Sequence, residues 1–176
     1  MLQLIFGMDP GKSGAIAWAT NDGRHGHTKM PADSRALLEY LRAIRFEIAP
    51  DESFAFIEHV GGLFIGNIAK KQIHQLTKGD AKTLMNALQR SSANLSLREN
   101  LGELRMGCTA CGITVAKEPR PQHWMKRLDL AQTDSAKRKT EIYERMQQQF
   151  PDWKFPKYAA DAVALVDYGQ TWLRDK

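Results

Sequence analysis

An α/β fold, with a five-stranded mixed sheet and helices on both faces, is predicted by three features of the sequence. Short apolar runs near the start of the chain are separated by turn signals at strand spacing. A stretch with apolar residues at helical spacing follows the third run, and others follow the fourth and fifth. The resulting order, βββαβ and then α, β and α, gives an antiparallel hairpin edge beside crossover-linked strands. The 176 residues, 43% of them apolar, suffice for one sizeable core but not for two full lobes.

Residues 3–8 (QLIFGM) read as the first strand, running into Asp9-Pro10-Gly11-Lys12-Ser13-Gly14. AIAWAT is the second, and Asn21-Asp22-Gly23 is a hairpin turn that leads to a third over about 25–30, stopped by Pro31. Asp33 or Ser34 caps a helix with Leu37, Leu38, Leu41 and Ile44 on one stripe, ending near Arg45. SFAFIE is the fourth strand and ends at Glu58, and Gly61-Gly62 follows it. A helix over 81–89, with Asp80 as a possible cap, is expected to break at Ser91-Ser92-Ala93-Asn94. A second begins near Ser96 and carries Leu97, Leu101, Leu104 and Cys108. Ile113–Ala116 is the fifth strand. A basic loop follows, then a helix capped by Ser135 that runs to Gln149, and a last amphipathic helix over 159–173.

Charge is concentrated in the middle of the chain. Residues 1–66 hold six basic and eight acidic residues, 67–145 hold fifteen and eight, and the last thirty-one hold four of each. A local excess of 15 − 8 = +7 is what a face meeting a polyanion needs, though it also suits an ordinary soluble surface. No apolar run nears the roughly 20 residues of a membrane span, and MLQLIFGMD lacks the basic and apolar regions of a signal peptide. With two cysteines, a disulfide framework is excluded and a reducing, cytoplasmic setting is expected.

Three carboxylates stand where backbone elements end: Asp9 after the first strand, Glu58 after the fourth, and Asp161 at the start of the last helix. If strands one and four are parallel neighbours, Asp9 and Glu58 emerge side by side. Clustered carboxylates repel and hold protons unless a cation neutralises them. Oxygen ligands without histidine or thiolate partners suit Mg²⁺ or Mn²⁺, and two such ions about 4 Å apart can drive phosphodiester hydrolysis. Singly, each acid also has a plain structural role: an Asx turn at Asp9, a solvated strand end at Glu58, a dipole-favoured position at Asp161.

Taken in order, GMDPGKSGAIAW, FAFIEHV, PQHWMKRL and AADAVALVDYG resemble the RuvC-type Holliday-junction resolvases, in particular their phage branch. The resemblance covers nearly the whole chain and is weakest over 60–95. It implies a ribonuclease-H-like fold in a single domain over 1–176, with 60–95 as a variable helical and dimerisation segment. It implies a crossover junction endodeoxyribonuclease acting as a homodimer on branched DNA. Asp9, Glu58 and Asp161 would bind metal, two Mg²⁺ ions with Mn²⁺ as a substitute, and Lys137 would assist catalysis. Phosphate contacts would come from Lys12, Lys70, Lys71, Arg120, Lys126, Arg127, Arg138 and Lys139, and Phe64 would be the aromatic wedge at the junction centre. The family's further acid, a few residues before the last Asp, is missing: Lys157, Tyr158, Ala159 and Ala160 stand there. Lys157, Tyr158 or Asp152 could substitute, whereas Asp167 lies roughly 240° round the helix from Asp161. A catalytically weakened branched-DNA-binding module of the same fold is therefore the alternative.

Two other motifs carry less. Cys108-Thr109-Ala110-Cys111 cannot complete a four-ligand zinc site alone, and beside Gly107 and Gly112 it reads as close helix packing. DPGKSGA resembles the first phosphate motif of actin-type ATPases, but those need two lobes, and Trp124 reads as a core residue.

Overall fold

The computed structural model describes residues 1–11, 13–59, 81–131 and 134–176, with backbone only for 81–95. Its sheet has the order β3-β2-β1-β4-β5, built from β1 (Gln3–Met8), β2 (Ala15–Thr20), β3 (His25–Lys29), β4 (Glu52–Ile57) and β5 (Thr114–Lys117). β1, β4 and β5 are parallel, and β2 and β3 are antiparallel additions to the β1 edge. The helices are α1 (Ser34–Ile48), α2 (Ala81–Ala110), the short α3 (Pro121–Met125), α4 (Ser135–Gln149) and α5 (Ala160–Arg174). Short 3₁₀ turns cover Lys126–Leu128 and Lys157–Ala159.

Period-2 alternation divides the core between the two faces of the sheet. Leu4, Phe6 and Met8 of β1 face α1 and α2, where they pack with Leu37, Leu41, Leu101, Leu104 and Cys108. Ile5 and the β2 alanines Ala15, Ala17 and Ala19 face α4 and α5, among Ile142, Met146, Val163 and Leu165. On this second face α5 lies very close to the sheet. A Cβ at Gly7 would fall 2.1 Å from the Ala162 carbonyl oxygen, and one at Gly169 would fall 2.5 Å from the Phe56 ring. Only glycine permits that approach.

α2 is one continuous helix of 30 residues, so the break expected at 91–94 does not occur. Serine and asparagine inside a helix cost only a few tenths of a kcal/mol each, which the rest of the helix offsets. Asp134, not Ser135, caps α4, its Oδ1 accepting from the amides of Ala136 and Lys137 at 3.0 Å. A carboxylate at that position serves both as cap and as a favourable charge for the helix dipole. Asp33 caps α1 in the same way, accepting from Ala36 at 2.8 Å.

Cys108 and Cys111 are unbridged and buried, Cys108 with its Sγ 3.9 Å from Met8 Sδ. Burial pushes the Cys108 thiol up to about 12. A Cβ on Gly107 would come within 3.1 Å of Leu37 Cδ2, so the CxxC segment serves helix packing, as its small residues suggest. No helix among the described residues is long and apolar enough to cross a membrane.

Candidate active site

Parallel pairing of β1 and β4 runs to Met8 opposite Ile57, so Asp9 and Glu58 leave the sheet as neighbours. The Glu58 amide donates to the Met8 carbonyl at 2.9 Å, which extends the ladder past both acids. The turn after Asp9 is tightly held. Asp9 Oδ1 accepts from the Gly11 amide at 3.1 Å, and the Asp9 amide donates to the Ala15 carbonyl at 3.0 Å. A Cβ on Gly14 would sit 2.1 Å from the Asp9 carbonyl oxygen, so the turn closes only with glycine there. Asp9 thus has its Asx bond and a place beside Glu58 together.

The third acid arrives with α5. Asp161 is in that helix's first turn, one residue before Ala162, whose carbonyl lies against Gly7. Close packing of α5 on β1 brings Asp161 within electrostatic reach of both strand-end carboxylates. Burial raises Asp9 above the usual carboxylate range, and the negative Asp161 adds to this against the Gly11 hydrogen bond and Lys139. Glu58 is pushed up to about 8, by burial first and then by Asp9 and Asp161. The buried Trp124 indole N–H has no partner within hydrogen-bond distance, yet lies close enough to favour the charged form of Glu58.

Lys139 is paired with this trio, its Nζ 3.3 Å from Asp161 Oδ2. The other Asp161 oxygen, Oδ1, is buried with no hydrogen-bond partner. As they stand, no three or more histidine, cysteine or carboxylate side chains among the described residues form a ready metal cage. The donor chemistry nevertheless fits a hard divalent cation: three coupled carboxylates with only oxygen donors, Asp9 and Glu58 both shifted upward by burial and by neighbouring negative charge, and one orphaned oxygen on Asp161.

The expected partners of the acids are distributed differently. Lys137 is exposed in the first turn of α4, two residues from Lys139, and the partly exposed Lys139 pairs with Asp161. Arg120 and Lys126 are exposed around α3. Arg127 lies 5.8 Å from the Tyr168 ring centroid, and Arg138 is half-buried on α4. Trp124 is 1% exposed and belongs to the core. Lys157 donates to Thr140 Oγ1, Tyr158 packs against β3, and Asp152 is exposed, so none of the three is paired with the trio. Lys12, Phe64, Lys70, Lys71 and Asp80 lie outside the described residues.

Two supporting contacts had no signal in the sequence. Asn100 Nδ2, on α2, donates to the Pro10 carbonyl at 2.8 Å and ties that helix to the turn after Asp9. Glu118, just beyond β5, takes Arg105 Nε at 2.6 Å and has His59 Nδ1 at 3.7 Å. Arg105 holds its carboxyl below the ordinary range, so this third strand-end acid is neutralised locally.

No family model matches the sequence, and no curated protein matches it. Solved structures do match. One is described as T. thermophilus RuvC in complex with Holliday junction substrate, with a TM-score of 0.56, 10% identity, and coverage of 98% of this chain and 96% of that one. The likeness, with the sheet order above, shows a RuvC-like, ribonuclease-H-like α/β fold.

Proposed function

We propose that this chain is a divalent-metal-dependent endonuclease that resolves Holliday junctions or other branched DNA by symmetric phosphodiester hydrolysis. The observation that carries the reading is the convergence of Asp9, Glu58 and Asp161 from two strand ends and one helix start, in a fold shared with RuvC. Two active sites acting on a two-fold junction call for a homodimer, with residues 60–95 as its variable dimerisation segment in an otherwise single nuclease domain.

Asp9, Glu58 and Asp161 would hold the metal, Mg²⁺ or Mn²⁺ and two ions per site. When bound, those ions supply positive charge at the scissile phosphate and a water acidic enough to attack it. The protein's part is positioning. The Asx turn and the Asn100 contact fix Asp9, the extended ladder fixes Glu58, and the close seat of α5 fixes Asp161. Lys139 keeps a positive charge at the carboxylates, and the exposed Lys137 supplies one toward the DNA. Lys12, Lys70, Lys71, Arg120, Lys126, Arg127 and Arg138 are the proposed phosphate contacts and Phe64 the wedge.

The test is cleavage of a labelled four-way junction at low salt with Mg²⁺ and then Mn²⁺, beside Asp9→Asn. Paired symmetric nicks that vanish in Asp9→Asn are expected. One observation favours a second reading, a junction-binding module: Lys139 already pairs with Asp161. Retarded but uncut junctions with both metals would select it.

A further inference from the structure

The edge strand β3 carries a feature that the candidate site does not use. Its alternate residues His27 and Lys29 pair with Ala17 and Ala15, and so share the α5 face of the sheet. There they meet the 3₁₀ turn that precedes α5. Lys29 Nζ lies 5.2 Å from the centroid of the Tyr158 ring, and the His27 ring meets Tyr158 edge-on at 6.5 Å. Next to Tyr158, Lys157 donates to Thr140 Oγ1, one residue from Lys139 of the acidic trio. Met30 then donates to the Gly14 carbonyl at 3.0 Å, which fixes this end of β3 to the turn after Asp9.

Lys29 and Lys157 are both exposed, and neither has a carboxylate partner among the described residues. Several cations elsewhere are already taken: Arg24 by Asp22, Arg35 by Glu39 and Arg105 by Glu118. Burial, with His25 beside it, pushes His27 below the ordinary histidine range, so the charge of this ridge at neutral pH rests on the two lysines. A flat aromatic surface under one ammonium and a hydroxyl under the other limit how far each can move. Each is a compact point charge of the type that takes a backbone phosphate.

We infer that the ridge formed by Lys29, Tyr158 and Lys157 is a docking surface for the sugar-phosphate backbone of a double-helical DNA arm, guiding that arm from the β3 edge to the carboxylates. The inference rests on the reading of the chain as a nuclease of branched DNA. It adds Lys29 and Lys157 to the phosphate contacts, continuing the basic start of α4 toward the β3 edge. The contact is to phosphate and not to base edges, so it adds affinity without sequence preference.

The experiment measures dissociation constants for a labelled linear duplex and a four-way junction over a range of salt, for wild type and Lys29→Gln/Lys157→Gln. Losing two phosphate contacts lowers the slope of log K against log salt by about 1.8. Between about 50 and about 200 mM salt, wild type then loses about twelve-fold more affinity than the variant. Lys29→Arg/Lys157→Arg should keep the wild-type slope, as should Arg35→Gln on α1 across the sheet. Thermal melting of all variants is recorded alongside. An unchanged slope in the glutamine variant, with wild type binding and cutting junctions, overturns the ridge and leaves the nuclease reading intact. A wild type that binds neither probe overturns both.

Discussion

Asn100 on α2 holds the Pro10 carbonyl at 2.8 Å, so the turn that carries Asp9 is anchored from the opposite side to the helix that carries Asp161. The acid is gripped between its own strand and a helix whose sequence gives no hint of the role.

Removing that grip should separate positioning from binding. Asn100→Ala is expected to cost about 1 kcal/mol of stability. It should lower the single-turnover cleavage rate roughly ten-fold or more through a displaced Asp9. Junction affinity should stay near wild type. An unaltered cleavage rate in a correctly folded variant would remove Asn100 from the site.

Lys139 is the native counter-charge of the trio, 3.3 Å from Asp161. In chelator-treated protein at neutral pH, Lys139→Met should be less stable by about 1 kcal/mol, the scale of a partly exposed pair. With that charge gone, added Mg²⁺ should raise the melting temperature of the variant more than that of wild type. Equal rises in the two proteins would show that Lys139 and the metal do not share the same carboxylates.

Glu58 gives a pH dependence of definite sign. Its carboxyl goes from 4.5 in the unfolded chain to about 8 in the fold, chiefly through burial. The native state therefore keeps a proton that the unfolded chain releases. The resulting stability is fully present below 4.5 and is lost as pH rises from 4.5 toward about 8. Urea midpoints in chelator should fall across that window, by a few kcal/mol in free energy at most. The fall should be clearly smaller in Glu58→Gln, and identical profiles for the two proteins would contradict the assignment.

Two glycine substitutions should behave in opposite ways. Gly7→Ala drives a methyl to 2.1 Å from the Ala162 carbonyl and should cost about 3 kcal/mol or more. Gly102→Ala on α2 meets nothing within 4 Å and should stabilise by roughly 0.5–1 kcal/mol through helix propensity. Chemical denaturation of both reads the difference.

What the sequence reveals and what it hides divide along physical lines. Strands with an acid at the end can be read because alternation and chain termination are local, and the parallel placement of β1 and β4 makes Asp9 and Glu58 neighbours. The azimuth of a side chain on a helix is not local. Lys137 and Lys139 are two residues apart, roughly 200° round α4, and only the packing of α4 against α5 decides that Lys139 meets Asp161. Asn100 and Glu118 have the same difficulty, since each meets partners from another element. The unbroken α2 shows a weak local preference overruled by cooperativity along the helix.

The contact between Gly7 and the Ala162–Val166 backbone has one more consequence. With no side chain on Gly7, strand and helix meet almost main chain to main chain at that point, and this sets the spacing of the backbones that carry Asp9 and Asp161. No rotamer change can widen that gauge, and no repacking can narrow it. Retuning the site for a larger or smaller ion would therefore have to come from the length of the acids themselves, aspartate exchanged for glutamate, because the frame that carries them has no slack.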